Sequence, residues 1–318
     1  MNKTNPLVSI GLPVYNAGQY LEDALDSILA QTFEDFELII SDNGSTDNTE
    51  AICWSYARRD QRIRYFRNAT NQGAAWNFNR VFELATGKYF KWTAHDDLYA
   101  PAYLARLVEV FEQAPASVVL CYPKTTLIDK DGNTIKIYED NLDLREANSP
   151  RRLLHFFRNV LLCNAVYGLI RPEALRQTRG LDKFVGADVI LLTELAMLGE
   201  FWEIPEPLFL RRRHPQASGA AARTYLDVAV WFDPGNRRRH DVYPANRWFI
   251  EYLRSIKNSP ISGWEKVLCA RVFFWEWYLK RNWRNLGGEW KIALKHLLRL
   301  QKQPWEKGPA TAAVLQFK

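Results

Sequence analysis

Hydrophobic residues in the first 120 positions follow two alternating spacings. Short apolar runs are typical of buried strands, which are predicted at 7–12, 36–41, 63–66, 88–93 and 118–122. Between them, apolar residues recur at the spacing of one helix face, which predicts helices at 20–29, 46–56, 74–85 and 101–113. This alternation predicts an α/β fold, with a mostly parallel central sheet and helices on both of its faces.

The pattern changes after residue 122. Asp131-Gly132 separates two strand-like runs, which predicts a hairpin over 125–138. Further helices are predicted at 149–161 and 188–198, and a pair of short strands at 201–204 and 208–211. We therefore expect an α/β domain over 1–222, with halves 1–122 and 123–222, followed by a helical extension over 223–318.

The predicted extension is aromatic and basic. An apolar stripe at helical spacing runs from Trp290 to Leu298, and residues 264–279 are apolar nearly all round. The chain carries a net charge of +6, but residues 1–210 contribute −7 and residues 211–318 contribute +13. Such a segment suits an anionic membrane surface, which residues 264–300 would contact. Packing on the α/β domain and homo-oligomerisation are equally open alternatives.

The cysteine spacing and the N-terminal sequence indicate where in the cell the protein is expected. The four cysteines are widely scattered, which is typical of reduced thiols in a cytosolic protein. The sequence shows neither a secretory signal segment nor a run of 18 apolar residues. We expect a cytoplasmic protein, with peripheral attachment to the inner face of the cell membrane as an open possibility.

Two acidic turns follow predicted strands. Asp42 comes directly after the strand at 36–41, and Asp96 and Asp97 follow the strand at 88–93. Ligands of open α/β sheets bind at the carboxyl ends of strands, so these carboxylates are candidate functional groups. A divalent cation would relieve the repulsion between two adjacent aspartates. The alternative is a pair of solvated turns in which Asp acts only as a turn former.

Several function classes lack their motifs. The first strand leads into Pro13-Val14-Tyr15-Asn16-Ala17-Gly18 rather than GxGxxG, and no P-loop sequence occurs, which argues against dehydrogenases and P-loop enzymes. A metal phosphohydrolase built on His95 and Asp96 lacks further ligands at helical spacing. A basic nucleic-acid-binding protein remains as an alternative, although its positive charge lies outside the α/β part and no nucleic-acid motif accompanies it. We expect no nucleic-acid partner.

The order of the remaining motifs resembles the family 2 glycosyltransferases, which have the GT-A fold. The resemblance covers about residues 6–219 and is densest in three segments, residues 8–16, 27–32 and 42–47. It implies a metal-dependent, inverting transfer of sugar from a nucleotide diphosphate donor, usually a UDP-sugar, to a hydroxyl of a glycan or lipid-linked acceptor. Polysaccharide biosynthesis would be the setting, residues 1–122 would bind the donor and residues 123–222 the acceptor.

The resemblance also assigns roles to individual residues. It implies that the donor is held by Pro13, Tyr15, Asn16, Asp42, Asn71, Gly73, Asn79, Asp97 and Arg212. It implies Mn²⁺ or Mg²⁺ ligated by Asp96 and His214, and a general base, Asp188, at the start of a helix. Asp188 could instead serve the helix dipole, and Asn71 and Gly73 could form a simple turn. The chain departs from the family pattern at Ala94, where many relatives have the first aspartate of the metal motif.

Overall fold

A computed structural model describes residues 5–217, 224–238 and 243–297. Its sheet contains nine strands in this part of the chain. They are β1 (Val8–Val14), β2 (Phe36–Asp42), β3 (Ile63–Arg67), β4 (Tyr89–Trp92), β5 (Leu98–Tyr99), β6 (Val118–Ile128), β7 (Thr134–Tyr138), β8 (Leu169–Ile170) and β9 (Glu200–Arg212).

The strand order is β3-β2-β1-β4-β8-β6-β9-β5, and β7 pairs with β6. Strands β1 to β4 form parallel pairs, and β9 pairs in parallel with β6. The short β8 is antiparallel to both of its neighbours, so β6 and β9 run in the same direction as β1 to β4. The predicted mostly parallel sheet is confirmed. Its consequence is that the turns after β1, β2 and β4 meet at one edge.

The helices cover both faces of the sheet. Those of the α/β part are α1 (Leu21–Leu29), α2 (Thr49–Ala57), α3 (Ala74–Glu83), α4 (Tyr103–Gln113), α5 (Ser149–Asn159), the short α6 (Pro172–Leu175) and α7 (Ala187–Leu198). Successive residues of β2 show the division, because Leu38 and Ile40 belong to one hydrophobic cluster and Ile39 to the other. Each face of the sheet therefore carries its own core.

Two local predictions are wrong. Helix α2 begins at Thr49 and not near Thr46, because the side chain of Asn16 accepts a hydrogen bond from the amide of Thr46 and holds the preceding turn. The strand pair expected after 200 is one strand, β9, whose pairing with β6 shifts between Pro123 and Thr125. Prolines within the 205–208 stretch lack amide donors, so the ladder is interrupted there without ending the strand.

The C-terminal helices share the core of the α/β part. They are α8 (Tyr225–Phe232), α9 (Pro244–Asn258), α10 (Gly263–Val272), a π-helical segment (Phe273–Asn282) and α11 (Trp283–Leu297). The ring centroids of Tyr252 and Phe157 of α5 lie 5.2 Å apart, and one cluster joins Trp248, Phe273 and Trp277 to residues of the sheet. The predicted boundary at 222/223 and the residues after 297 lie outside the described ranges.

The outer side of the same helices is exposed. Trp264, Trp275, Trp283 and Trp290 are between 51% and 70% exposed. The apolar character of residues 264–279 suggests burial in the protein or at an interface. Their inner side meets the core, and an interface on the outer side stays a prediction. Within the described ranges, none of the helices combines the length and the apolar character that crossing a membrane requires.

Candidate functional site

The turns after β1 and β2 are tied to each other. Asn16 lies in the left-handed region at φ 49°, which asparagine tolerates better than most residues. Its amide donates to Ser45 Oγ at 2.9 Å, and its side-chain oxygen accepts from the amide of Thr46 at the same distance. Pro13 is buried within β1, whereas the ring of Tyr15 is 41% exposed. Tyr15 and Asn16 are both exposed, and Tyr15 offers an aromatic ring surface.

Asp42 is fully buried and all its contacts are internal. One carboxylate oxygen accepts from the amide of Ser45 at 2.8 Å, and the other accepts from the hydroxyl of Tyr65 at 2.9 Å. Arg67 adds an ion pair at 3.5 Å. The carboxylate therefore shapes the turn in this conformation, and a direct contact with a nucleoside stays a prediction.

Asn71 and Gly73 belong to a hydrogen-bonded loop centred on Asn43. The amide group of Asn43 donates to the side-chain oxygen of Asn71 and to the carbonyl oxygen of Gly73. Gly73 lies at φ +89°, and a Cβ there would sit 2.6 Å from the carbonyl oxygen of Phe232 in α8. Only glycine fits this approach, so the C-terminal helices pack directly against the loop.

Asn79 holds the backbone of a distant loop. Its side chain donates to the carbonyl oxygen of Leu181 at 2.8 Å and accepts from the amide of the same residue at 2.9 Å. Both ends of the amide are thereby used. The geometry gives Asn79 a positioning function next to the segment that leads into α7, and its predicted donor contact stays a prediction.

Asp96 and His214 form a direct pair between the end of β4 and the end of β9. Asp96 Oδ2 and His214 Nε2 lie 2.9 Å apart, and the imidazole packs on Tyr20 with ring centroids 4.6 Å apart. Hydrogen bonding to Asp96 raises the pKa of His214 above its ordinary value. Burial opposes ionisation of Asp96, but the hydrogen bond from His214 and the electrostatic attraction of His95 and His214 together outweigh it and lower the pKa of Asp96.

The pair fits a divalent cation that substrate oxygens complete. The described residues contain no group of three or more His, Cys, Asp or Glu that could form a metal cage. Mg²⁺ in phosphate-handling sites takes one or two protein carboxylates and fills its other positions with phosphate oxygens and water. Asp96 would supply the carboxylate of such a set, and His214, 2.9 Å from it, would add an imidazole nitrogen.

Asp97 and Arg212 lie beneath this pair. One carboxylate oxygen of Asp97 accepts from the backbone amide of Arg212 at 2.9 Å. Burial, and then the neighbouring charge of Asp96, raise the pKa of Asp97 to about 7. The guanidinium of Arg212 donates to two backbone carbonyls and to Asp23 Oδ2, and it is almost completely buried. Both residues therefore help to hold the strand ends together, and their predicted donor contacts stay predictions.

Asp188 stands in the first turn of α7. The carboxylate accepts from the amide of Val189 at 3.0 Å, and the thiol of Cys163 is a further hydrogen-bond partner. Burial raises the pKa of Asp188 above its ordinary value. A carboxylate whose pKa moves toward neutrality is better matched to accept a proton at physiological pH. The geometry thus suits the predicted base.

Sequence reasoning missed a polar chain behind the site. Arg211 Nη1 donates to Asn164 Oδ1 at 2.6 Å, and Asn164 Nδ2 donates to both oxygens of Asp140, at 3.0 and 3.1 Å. Asp140 also accepts from the hydroxyl of Thr125. Strand periodicity could have separated Arg211 from Arg212, because adjacent residues point to opposite faces. The sequence held no comparable signal for Asn164.

Residues 9–178 match the family model described as Glycosyl transferase family 2. The chain belongs to glycosyl transferase family 2. The resemblance deduced from the motifs is thereby confirmed. Asp188, Arg212 and His214 lie beyond the matched segment, so their functions in this family 2 chain are argued from its own geometry.

Curated relatives match part of the family 2 chain. A glycosyltransferase of Rickettsia prowazekii (strain Madrid E), itself uncharacterized, is 36% identical over 182 residues, which are 57% of this chain and 54% of that protein. The glycosyltransferase GlyG of Streptococcus pneumoniae serotype 4 is 33% identical over 114 residues, 36% of this chain and 38% of GlyG. Other rickettsial matches span only 21%, 18% and 41% of the relatives' length.

Solved structures share the fold of the family 2 chain. TarS of S. aureus in complex with UDP-GlcNAc superposes with a TM-score of 0.61 at 16% identity, over 92% of this chain and 80% of that one. The mannosyltransferase PcManGT from Pyrobaculum calidifontis, in complex with GDP-Man and Mn²⁺, gives a TM-score of 0.56 at 18% identity, over 99% and 85%. The expected GT-A fold is confirmed.

Proposed function

We propose that this protein transfers a sugar, with inversion, from a nucleotide diphosphate donor to a hydroxyl of a glycan or lipid-linked acceptor. The observation that carries the proposal is the Asp96–His214 pair at the carboxyl edge of the sheet, 2.9 Å apart in a chain of this family. A site of this kind suits the diphosphate, and Asp188 at the start of α7 supplies a separate carboxylate for proton transfer.

The proposed reaction is a single displacement. The acceptor oxygen attacks the anomeric carbon while the bond from that carbon to the diphosphate oxygen breaks. Asp188 takes the proton of the acceptor hydroxyl, and the electron pair of the broken bond leaves with the nucleoside diphosphate. The raised pKa of Asp188 supports this assignment, since the protonated carboxyl is then a stable product of the step.

Asp96 and His214 would hold the divalent cation. When bound, the cation supplies Lewis-acid stabilisation of the charge that develops on the diphosphate. Asp97 and Arg212 position this pair from beneath through the backbone contact between them, and Ala94 leaves the protein one carboxylate fewer than many relatives. Mn²⁺ is the favoured candidate, because the structural neighbour PcManGT is described with Mn²⁺.

The nucleoside would lie over the joined turns after β1 and β2. The exposed ring of Tyr15 is suited to stack on a base, and Asn16 and Asp42 fix the backbone beneath it. Uridine is the proposed nucleoside, and the neighbour TarS is described with UDP-GlcNAc. The half 1–122 would then hold the donor, 123–222 would receive the acceptor, and 223–318 would be the extension.

A nucleotide-sugar panel tests this function. Binding and hydrolysis of UDP- and GDP-sugars by the full-length protein would be measured with and without Mn²⁺. We expect Mn²⁺-dependent binding of a UDP-sugar that Asp96→Ala abolishes. Asp131→Asn, at the exposed hairpin tip, is the control and should behave like the wild type. Absence of Mn²⁺-dependent binding to every donor would contradict the proposal.

We also propose that the outer side of the C-terminal helices binds an anionic membrane surface. The four exposed tryptophans lie along contiguous helical residues 263–297. Exposed cations accompany them, namely Arg271, Lys280, Arg284 and Lys291. Aromatic rings beside Lys and Arg are the composition of helices that lie in the membrane interface, whereas a subunit contact does not need this excess of positive charge.

Vesicle sedimentation distinguishes a membrane-binding surface from a subunit interface. The full-length protein should bind vesicles containing anionic phosphatidylglycerol, and replacing all four exposed tryptophans with Gln should weaken binding at least about tenfold. Ile135→Gln with Ile137→Gln, two exposed residues of β7, is the matched control. Concentration-dependent dimers that the four-tryptophan variant abolishes, without any vesicle binding by the wild type, would instead support a subunit interface.

A further inference from the structure

Three consecutive arginines at the end of β9 lie in three different environments. Successive strand residues point to opposite faces, so Arg211 and Arg212 project away from each other. Arg212 reaches toward α1, where its guanidinium lies 4.7 Å from the ring centroid of Tyr20. Arg211 reaches the opposite face and contacts Asn164. Arg213 follows the strand and is exposed.

Arg212 is held mainly by acceptors of the protein itself. Its Nε donates to the carbonyl oxygen of Asp96 and its Nη1 to that of Lys130, both at 2.9 Å. Its Nη2 donates to Asp23 Oδ2 at 3.1 Å. Each nitrogen of the side chain therefore has a protein acceptor, and the group is buried.

Arg211 is oriented by a neutral amide and has no direct ion pair among the described residues. Its Nη1 is held by Asn164, which is itself fixed through Asp140 and is 2% exposed. In the described part of the chain, the guanidinium nitrogens of Arg211 have no carboxylate oxygen within 4.0 Å, the distance that defines an ion pair. A guanidinium has five N–H donors in a planar fork, so most of them remain for another partner.

The position of Arg211 is next to the proposed chemistry. Arg211 precedes Arg212, whose backbone amide donates a hydrogen bond to Asp97. Its partner Asn164 follows Cys163 in the sequence, and Cys163 is a hydrogen-bond partner of Asp188. The guanidinium of Arg211 interacts electrostatically with both Asp97 and Asp188. The fork therefore lies within electrostatic reach of Asp97, on the donor side, and of Asp188, the proposed base.

We infer that Arg211 binds an oxyanion of the substrate, with its guanidinium oriented by Asn164 and Asp140. This inference rests on the proposed function and names the cation that the site presents to its ligand. A planar fork suits carboxylate and phosphate oxygens, which it can contact with two parallel hydrogen bonds. The oxyanion belongs either to the donor diphosphate or to an acidic acceptor.

Calorimetry with Arg211→Met separates these sources. The probes are UDP, inorganic pyrophosphate and uridine, at fixed Mn²⁺, with Arg213→Met as the control of equal charge change. If the donor supplies the oxyanion, the Kd values of UDP and pyrophosphate rise about 10- to 100-fold and that of uridine stays unchanged. Pyrophosphate binding reports on Arg211 even if no sugar is transferred.

If the acceptor supplies the oxyanion, Arg211→Met leaves UDP binding unchanged. Two acceptor probes, p-nitrophenyl glucuronide and p-nitrophenyl glucoside, differ in one carboxylate. The KM of the Arg211→Met variant then rises about tenfold or more for the glucuronide and stays unchanged for the glucoside. Asn164→Ala should give a smaller change in the same constant, and Arg211→Lys should recover part of it. Recovery by lysine shows that the loss is one of charge and not of folding.

Two results would overturn the inference. One is an Arg211→Met protein that binds UDP and pyrophosphate and uses both acceptor probes as the wild type does. The other is a variant whose only defect is a lower melting temperature, which would make Arg211 an internal counter-charge for the neighbouring carboxylates. If the wild type binds neither UDP nor any nucleotide sugar, the proposed function fails instead, and pyrophosphate binding alone decides the inference.

Discussion

The indole Nε1 of Trp248 donates a hydrogen bond to the carbonyl oxygen of Val185 at 2.7 Å. The same ring covers Gly186, where a Cβ would lie 2.0 Å from Trp248 Cζ2. Gly186 directly precedes α7, whose first turn contains Asp188. A tryptophan of the C-terminal helices thus fixes the backbone that presents the proposed base, so these helices contribute to the site as well as to the core.

This contact predicts a large effect for Gly186→Ala. The residue lies at φ +88°, which alone costs about 1 kcal/mol for alanine, and displacing the buried Trp248 ring adds about 1–3 kcal/mol. We expect the free energy of unfolding to fall by both amounts and kcat to drop with it. Gly132→Ala is the matched control, because Gly132 lies at φ +90° with no atom within 4 Å of its Cβ position. Equal losses in the two variants, measured by urea unfolding, would show that Trp248 does not constrain this turn.

Asp188→Asn should impair the chemical step. The amide cannot take the acceptor proton, so kcat should fall by about 10²- to 10⁴-fold while the Kd of the donor changes little. The hydrogen bond from Val189 can still be accepted by the amide oxygen, so folding should be retained. Steady-state kinetics and circular dichroism check both points. A kcat near that of the wild type would assign Asp188 to the helix dipole instead.

Asp96 and His214 should act as one unit toward Mn²⁺. Each single alanine variant removes one ligand of the proposed site, and the double variant should lose little more than the worse single variant. The measurement is the gain in UDP affinity on adding Mn²⁺, by calorimetry, for the wild type and the three variants. Additive losses would mean that the two residues contribute through separate interactions.

Arg212→Met should destabilise the protein. The substitution leaves two backbone carbonyls without their donor in a buried position, and a loss of about 2–4 kcal/mol in the free energy of unfolding is expected. Arg213→Met removes the same charge from an exposed site and should change stability by less than about 0.5 kcal/mol. Chemical denaturation of both variants gives the comparison.

Glu37 should make stability depend on pH. Burial opposes its ionisation, but hydrogen bonds from Ser9, Arg64 and Thr86 outweigh that cost and lower its pKa. A lowered folded-state pKa stabilises the fold above the unfolded value near 4.5, and this contribution is lost as the pH falls through the folded value. The difference in unfolding free energy between wild type and Glu37→Gln should be about 1–3 kcal/mol at pH 7 and shrink toward pH 3. A difference that stays constant over this range would contradict the assignment.

The sequence predicted β1 to β4 and their helices because burial on two faces leaves a local periodic signal. It did not predict β8, since a strand of two residues has no period of its own. The packing of α9 on α5 and α7 was also beyond prediction, because contacts such as that of Tyr252 with Phe157 join residues far apart in the chain.

In the candidate site too, the sequence predicted local features and missed contacts between residues that are distant in the chain. Asp96, Asp97 and His214 could be placed from strand ends and motif order, and the structure brings them together. The internal commitment of Asp42 could not be foreseen, because its partner Tyr65 comes from β3. The difference between Arg211 and Arg212 depends on which face of β9 each one occupies, and the motif alone did not settle the register.

That register has a consequence for changes in chain length. Residues 205–208 lie between two segments of β9 that pair with β6, so deleting one of them would move the end of the strand by one position. The positions of Arg211 and Arg212 would still receive arginines, from Arg212 and Arg213. The position of His214 would receive Pro215, which has no imidazole to pair with Asp96. A one-residue deletion in this stretch would therefore keep arginine at both of these strand positions but would remove histidine from the position that pairs with Asp96.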